Sequence, residues 1–523
     1  MRLLKLYADR ILGAMKGLDR IRFRGTFRWL ASERGIQTFM STSNMLLKDF
    51  GRWAQAKTAK LRESCRQRAE ELGIETIYLK SSRVDKEKWA RKIAMEKGIE
   101  SGSICMFSVV ESCMAPAVSG NKATKKLELH YRPRKCVWIY HYFDDPELGF
   151  GHVRLQSWLP FNAYLCLNGR HWLEKQMEQR GMSYIKDGNC FPWIKDMEKA
   201  QEFLDAQLRT DWPRLLNRLT RETCPAMPEI LSPLSFDYYW SADETEWATD
   251  VMFKSSGLLD ELYPSFVRHA MIVSDSPSVM RFFGKGNISL KGKVKGRSAQ
   301  EILSDCRRRY EGVRVKHWIN RNSVKMYNKS GSVLRIETTI NNTRDFKVYR
   351  SPEDDEKRPA SWLPLRKGVS DLHRRCQVSD QSNERYADAV FAGRVEETLQ
   401  AVASEACNPV KKSGKRYRAL NPWDNHDFRL LTFLGKGELA VNGFRNKDLR
   451  SHLFPEQGRG DPGEAKRLSA KASRSLRLLR AHGLIRKVPK VNRYVLTEKG
   501  QKFSVALLGA SAVAVQSLME MAA

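Results

Sequence analysis

The segment from Asn442 onward constrains the fold of this chain more than any other stretch. A short amphipathic run (FRNKDLRSHL) leads into a loop holding Pro455, Gly458, Gly460, Pro462 and Gly463. A strongly basic run, AKRLSAKASRSLRLLRAHGLI, follows, and then a ribbon-like stretch, IRKVPKVNRYVLTEKG. Leu468, Ala472, Leu476, Leu479 and Ile485 recur near helical spacing and predict one buried face. Lys466, Arg467, Lys471, Arg474, Arg477 and Arg480 then fall on other faces. A helix that presents cations outward suits a major groove, and Arg486, Lys487, Lys490 and Arg493 on the ribbon can reach phosphates. This order predicts a winged helix-turn-helix, with double-stranded DNA as its first ligand.

The charge is placed to match. The chain carries 91 Lys+Arg against 60 Asp+Glu, a formal net of +31, which favours a polyanionic partner. Residues 411–523 hold 23 Lys+Arg and 9 Asp+Glu, a net of +14; residues 281–350 hold 18 and 5, a net of +13. The remainder is nearly balanced. Two contact zones follow, the second drawing on Lys291, Lys293, Lys295, Arg314, Lys316, Lys325 and Arg335. A basic but merely soluble surface is the blander alternative.

Absences narrow the class further. The ten cysteines form no CxxC pair and no zinc-finger spacing, so free thiols in a reducing, cytoplasmic setting are expected. The N-terminal MRLLKLYADRILGAMKGL is charged throughout and does not read as a signal peptide. FSVALLGASAVAVQSL, at 16 residues, is short for a bilayer span; it reads as a packing or homodimerisation helix, with no membrane partner. There is no GxxxxGK[ST], GxSxG, HExxH or dinucleotide fingerprint, so no nucleotide or organic cofactor is expected.

With 523 residues, more than one domain is needed. The expected class is α+β or mixed α/β, multidomain, with an N-terminal α/β body, mainly antiparallel sheets and the C-terminal winged helix. The pattern divides into an α/β domain over 1–125, a strand-rich α+β domain over 126–350, a helical connector and linker over 351–424, and the winged helix over 425–523. Within these, LLKLYADRILGAM predicts a helix before a short strand at DRIRFRGTF, and 116–126 predicts a polar loop. KLELHYRP and CVWIYHYF predict two strands. FDYYW and ATDVMF predict a pair joined across SADETEW. A helix is expected around Gln300 to Arg309, and Asn168 is expected to cap a helix at NGRHWLEKQMEQRGM.

Three clusters could carry chemistry. In VKMYNKSGSVLRIETTI, two strands with coincident apolar faces would bring Lys325, Tyr327, Arg335 and Glu337 onto one exposed face. A tyrosine can attack a phosphodiester, a carboxylate can hold a divalent ion, and cations can neutralise the pentavalent charge. A plain hairpin pairing Lys with Glu across strands is the alternative. In CVWIYHYFDDPELGFGHVRLQSW, Asp144 and Asp145 end a strand as the first acid of a two-metal nuclease would, although Asp and Pro also favour ordinary turns. In WSADETEWATD, Glu246 and Asp250 are further candidate acids, a solvated loop being the alternative. The metal ligands expected are Asp145, Glu246 and Glu337, holding Mg²⁺ or Mn²⁺.

KMYNKSGSVLRIE resembles the Y-x-K…R-x-E strand pair of rolling-circle replication initiators of plasmids and filamentous phages. That resemblance implies a catalytic tyrosine and a metal-binding acid, and so nominates Tyr327 and Glu337. The chain lacks the His-x-His metal pair usual in that superfamily; His317 stands alone. Over most of its length, through DRIRFRGTF, LNGRHWLEKQM, KMYNKSGSVLRIETTIN and the closing LRLLRAHGLIRKV…RYVLTEKG, the chain is similar to bacterial proteins labelled by a C-terminal MarR-like winged helix. This likeness implies a mobile-element setting and no particular chemistry. The leading expectation is a DNA-binding protein of a mobile element with metal-dependent cleavage or strand transfer, transposase-like or initiator-like. The alternatives are a non-enzymatic regulator or initiator, and an RNA-binding protein whose Trp318 and Tyr327 stack on bases.

Overall fold

The computed structural model describes residues 2–230, 237–274, 276–284, 302–309, 312–352, 359–391, 399–412, 414–435, 439, 443–455, 462–489 and 491–511. The expectations for Lys291, Lys293, Lys295 and Lys490 lie outside the described residues, as does the end of the expected dimerisation helix. The protein is a mixed α/β molecule with a large, mostly antiparallel sheet. In chain order its first strands are β1 (Ile11–Thr26), β2 (Glu75–Leu79), β3 (Gly102–Asn121), β4 (Lys126–Asp145), β5 (Gly149–Gln156) and β6 (Ala163–Asn168). A ribbon of β7 (Tyr184–Asp187) and β8 (Cys190–Ile194) comes next, then β9 (Tyr239–Phe253), β10 (Ile302–Arg309), β11 (Gly312–Ile319), β12 (Asn322–Lys329) and β13 (Val333–Ile340).

The chain forms two compact units, and the division falls inside β1, β9 and β13. One unit comprises Ala14–Asp250 and Glu337–Asp380. Its strands run in the order β13–β9–β1–β6–β5–β4–β3–β2. β2 and β3 are parallel, joined through the helix Lys86–Glu96, whose first turn is capped by the Asp85 carboxylate accepting from the Lys88 amide. Leu79, Ala90, Ile93, Phe107, Trp138 and Tyr142 form the core there. The helices Gly169–Glu178, Met197–Gln207 and Trp212–Thr223 belong to this unit. The first is capped at Asn168, whose side chain accepts from the Arg170 and His171 amides, as the sequence leads one to expect. Pro213 sits in the first turn of the third, where its missing N–H costs nothing.

The other unit comprises Met1–Gly13, Val251–Ile336 and Gln381–Ala523. Its strands follow the order β10–β11–β12–β13. Val315, Ile319, Val324 and Met326 are fully buried, and the His317 ring lies against Phe282 and Tyr386. Toward the C-terminus come helices Asn425–Leu434, Asn446–Leu453 and Pro462–Ala481, a two-stranded ribbon (Ile485–Lys487 with Tyr494–Leu496), and the helix Glu498–Ser511. Leu430, Leu449, Ala472, Leu476, Leu479, Ile485 and Phe503 share one core. The long basic helix ends just before Gly483, which takes φ +73°, the left-handed conformation glycine adopts without a steric penalty.

Several expectations are corrected by strand pairing. The first strand spans Ile11–Thr26, so the expected N-terminal helix shrinks to Arg2–Leu6. β3 and β4 pair from Gly102↔Asp144 to Asn121↔Lys126, so the expected loop at 116–126 is mostly strand and the boundary at 125/126 cuts a single hairpin. KLELHYRP and CVWIYHYF are parts of the one strand β4. FDYYW and ATDVMF are not a pair, because the acidic run between them is the middle of β9. Residues 302–309 form a strand, with Ile302 opposite Ile319 and Arg309 opposite Gly312, rather than a helix. The boundaries at 350/351 and 424/425 also do not coincide with the division into units. Among the described residues, no helix is long and apolar enough to cross a membrane.

Candidate metal centre and cationic surfaces

β1, β9 and β13 are neighbours in the sheet order, and each brings one acid to a common point. Carboxylate oxygens of Asp19, Glu246 and Glu337 all lie within 4.8 Å of one another. Asp19 and Glu337 are buried, and Glu246 is half-buried. The Asn189 side chain, from the turn between β7 and β8, donates to both oxygens of Asp19 at 2.9 and 3.1 Å. Arg20 pairs with Glu244 at 2.8 Å and Glu246 at 3.3 Å, and Arg22 pairs with Glu244 at 3.3 Å. Burial opposes the charge on Arg20, but Glu246 and Glu244, with smaller shares from Cys166 and Glu337, outweigh it and raise its pKa.

Carboxylates crowded in this way repel one another, and burial adds to the cost of keeping them ionised. A bound cation relieves both. The donor set is all oxygen, which suits a hard divalent ion such as Mg²⁺ or Mn²⁺ better than a thiophilic one.

The structure therefore brings together two of the three expected ligands, Glu246 and Glu337, adds Asp19, and leaves Asp145 out of the group. Asp145 caps its own turn: one oxygen accepts from the amides of Glu147 and Leu148 at 2.9 and 3.0 Å, and the other pairs with Arg218 at 3.0 Å. This is the conformational role that Asp plays in turns. Asp144 pairs with Lys175 at 3.1 Å; burial raises its pKa, and Lys175 offsets only part of the rise. Asp250 is fully buried in an ion pair with Arg170 at 2.9 Å, a guanidinium that is itself fully buried. These three acids have structural partners that account for them.

The expected exposed face of Lys325, Tyr327, Arg335 and Glu337 does not form. Arg335 and Glu337 are fully buried, because every residue of β13 is buried on both faces. Lys325 and Tyr327 are half-exposed on β12. Asp19 opens the expected strand DRIRFRGTF, but nothing near it in the sequence shows that β9 and β13 bring Glu246 and Glu337 beside it. The detectable sign was an acid set among Leu18, Ile21 and Phe23.

The C-terminal cations are displayed differently. Lys466, Arg467, Lys471, Arg474, Arg477 and Arg480 are all exposed on the helix Pro462–Ala481, whereas Leu468, Ala472, Leu476 and Leu479 are buried. Arg486 and Lys487 are exposed on the adjacent ribbon, and Arg493 is half-buried. The stretch 408–424, expected to be a linker, contains a hairpin of Val410–Lys412 with Lys415–Tyr417. Lys411, Lys412, Lys415 and Arg416 on it are exposed, and the Lys412 ammonium donates to the carbonyl of Arg480 at 3.2 Å. The hairpin thus adds four cations beside the basic helix.

Compared with protein-family models, curated proteins and solved structures, the chain matches none.

Proposed function

We propose that this chain is a DNA-binding protein of a mobile genetic element. In this reading the C-terminal segment is a winged helix-turn-helix that holds duplex DNA. Asp19, Glu246 and Glu337 hold a divalent ion for phosphodiester cleavage or strand transfer. The observation that carries the reading is the sorting of the Pro462–Ala481 helix. Its six expected cations are all exposed, its apolar positions are buried, and a cationic ribbon and hairpin lie in the same C-terminal segment. Such a helix can enter a major groove while the ribbon and hairpin meet phosphates. The mobile-element setting rests on the sequence resemblance alone.

The catalytic part rests on the three-acid group. A divalent ion there would supply Lewis acidity toward a phosphate oxygen. The chain's own share is to orient Asp19 through Asn189, and to keep Arg20 beside Glu246, where a guanidinium can neutralise phosphoryl charge.

The test is binding and nicking of labelled DNA by the full chain, with and without Mg²⁺ or Mn²⁺. Binding at low salt, metal-dependent nicking, and loss of nicking with retained binding in Glu337→Gln are expected. Binding without any nicking would leave a non-enzymatic regulator. No binding to DNA at low ionic strength would remove the whole reading.

A further inference from the structure

A second cationic surface lies on strands β10, β11 and β12, and its chemistry differs from that of the basic helix. Side chains alternate across the sheet. On β11, Val315, His317 and Ile319 are buried, whereas Arg314, Lys316 and Trp318 are half-exposed. On β12, Val324 and Met326 are buried, whereas Lys325, Tyr327 and Lys329 are half-exposed. The register places Arg314 opposite Tyr327 and Lys316 opposite Lys325, so these residues share one face. β10 extends it, with Arg307 opposite Arg314 and Asp305 opposite Lys316. Across these three strands that face carries Arg307, Arg309, Arg314, Lys316, Lys325 and Lys329. Among the described residues of these strands Asp305 is the one acid on that face, and it pairs with Arg307 at 2.5 Å.

Like charges directly opposite on neighbouring strands destabilise a sheet. The pairs Lys316–Lys325 and Arg307–Arg314 are both of this kind, and with six cations to one acid across these strands the face favours a polyanion. Two aromatic rings are set among the cations. The Lys316 ammonium lies 4.5 Å from the Trp318 ring centroid, and the Lys325 ammonium lies 5.5 Å from that of Tyr327. A base stacked on either ring would have its phosphate within reach of an ammonium. Arg309, Arg314, Lys325, Tyr327 and Lys329 also line a cleft of about 260 Å³.

The major groove admits a helix or a two-stranded ribbon rather than a broad sheet face, and the stacked bases of a duplex offer such a face no free ring. A single strand offers both phosphates and unstacked bases. We propose that this face binds single-stranded DNA, with bases stacked on Trp318 and Tyr327 and phosphates on the surrounding arginines and lysines. The choice of DNA over RNA rests on the functional reading above; the single-stranded character rests on the geometry of this face alone.

The experiment is fluorescence anisotropy of the full chain with labelled oligo-dT, with oligo-U, and with a duplex of equal length. Trp318→Ala should weaken oligo-dT binding by roughly tenfold, the size of one lost base–aromatic stack, and leave duplex binding unchanged. Trp318→Phe, which keeps a ring, should recover most of the loss and so exclude misfolding as the cause. Lys316→Ala should lower the salt slope for oligo-dT by about 0.7, the value for one phosphate contact on a single strand. Unchanged oligo-dT binding in Trp318→Ala would overturn the proposal, as would duplex binding with no oligo-dT binding. A preference for oligo-U of tenfold or more would overturn the assignment to DNA. Duplex binding lost in Arg474→Ala/Arg477→Ala, with oligo-dT binding kept, would support this proposal independently of the C-terminal one.

Discussion

The acids Asp250 and Glu337 are both fully buried on central strands, yet their surroundings differ. Asp250 faces one buried guanidinium, that of Arg170 at 2.9 Å. Glu337 lies among other carboxylates, with Asp19 and Glu246 inside 4.8 Å. A buried opposite charge makes a structural site, whereas buried like charges make a site that wants a cation. Burial and residue type cannot separate the two cases; the balance of neighbouring charge does, one guanidinium to one carboxylate at Asp250, but three clustered carboxylates around Glu337 with Arg20 on Glu246 at 3.3 Å.

The largest effect that could break this comparison is on stability. Asp250→Ala leaves the Arg170 guanidinium buried without its carboxylate and should cost about 3–5 kcal/mol, read as a lower midpoint in urea. Glu246→Gln relieves repulsion with Asp19 and Glu337 but gives up the part-exposed pair with Arg20 at 3.3 Å, so it should change stability by only about 1 kcal/mol or less. A large loss in Glu246→Gln would place that acid with the structural ones.

Metal dependence comes next. Mn²⁺ at about a hundred times its dissociation constant should stabilise the wild type by about 2.7 kcal/mol. The same addition should do nothing for Glu337→Gln. Equal stabilisation of both, followed by thermal melts, would put the ion elsewhere.

A smaller, graded effect is expected with pH. His141 and His317 are buried, and burial lowers the pKa of each to about 4. His141 is held between Thr223 and Ser103, and His317 between Ser304 and Tyr386, all neutral partners. The unfolded imidazole titrates near 6.5, at about its ordinary value. Between these values the unfolded chain binds more protons, so the stabilisation is complete above about pH 6.5 and is lost as pH falls toward 4. Melts across that range should show a falling midpoint, and His317→Phe should flatten the fall.

How much of this was legible in the sequence differs sharply between regions. The basic helix could be read because its information is local: Leu468, Ala472, Leu476 and Leu479 recur at helical spacing within one element, and exposure of the intervening cations follows from it. The three-acid group could not be read as a group. Asp19, Glu246 and Glu337 come from strands far apart in the chain, and their meeting depends on sheet order, which no local pattern encodes. Glu337 was visible as an acid on an expected strand, and Glu246 as one of a cluster of acids in an expected connection between strands. Asp19 lay in an expected strand, DRIRFRGTF, but as a single acid beside Arg20 and Arg22 it carried no local sign of its partners. Asp145 and Asp250 misled for the converse reason, since their partners Arg218 and Arg170 are distant in sequence and neutralise them in space. The β10–β12 face was half legible: alternation in β12 exposed Lys325 and Tyr327, and Arg314 and Lys316 stood out as cations, but β10 reads as a helix in the sequence and hides its arginines.

The most direct test of the central claim is the salt dependence of duplex binding by the wild type and by Arg474→Ala/Arg477→Ala. Each phosphate contact contributes about 0.9 to the slope of log affinity against log salt. Surface substitutions of this kind should change stability by only about 0.5 kcal/mol, so any change in slope reports contact rather than unfolding. The account predicts a slope shallower by roughly two units in the double variant. A slope identical to that of the wild type would remove the Pro462–Ala481 helix from the DNA and contradict the account.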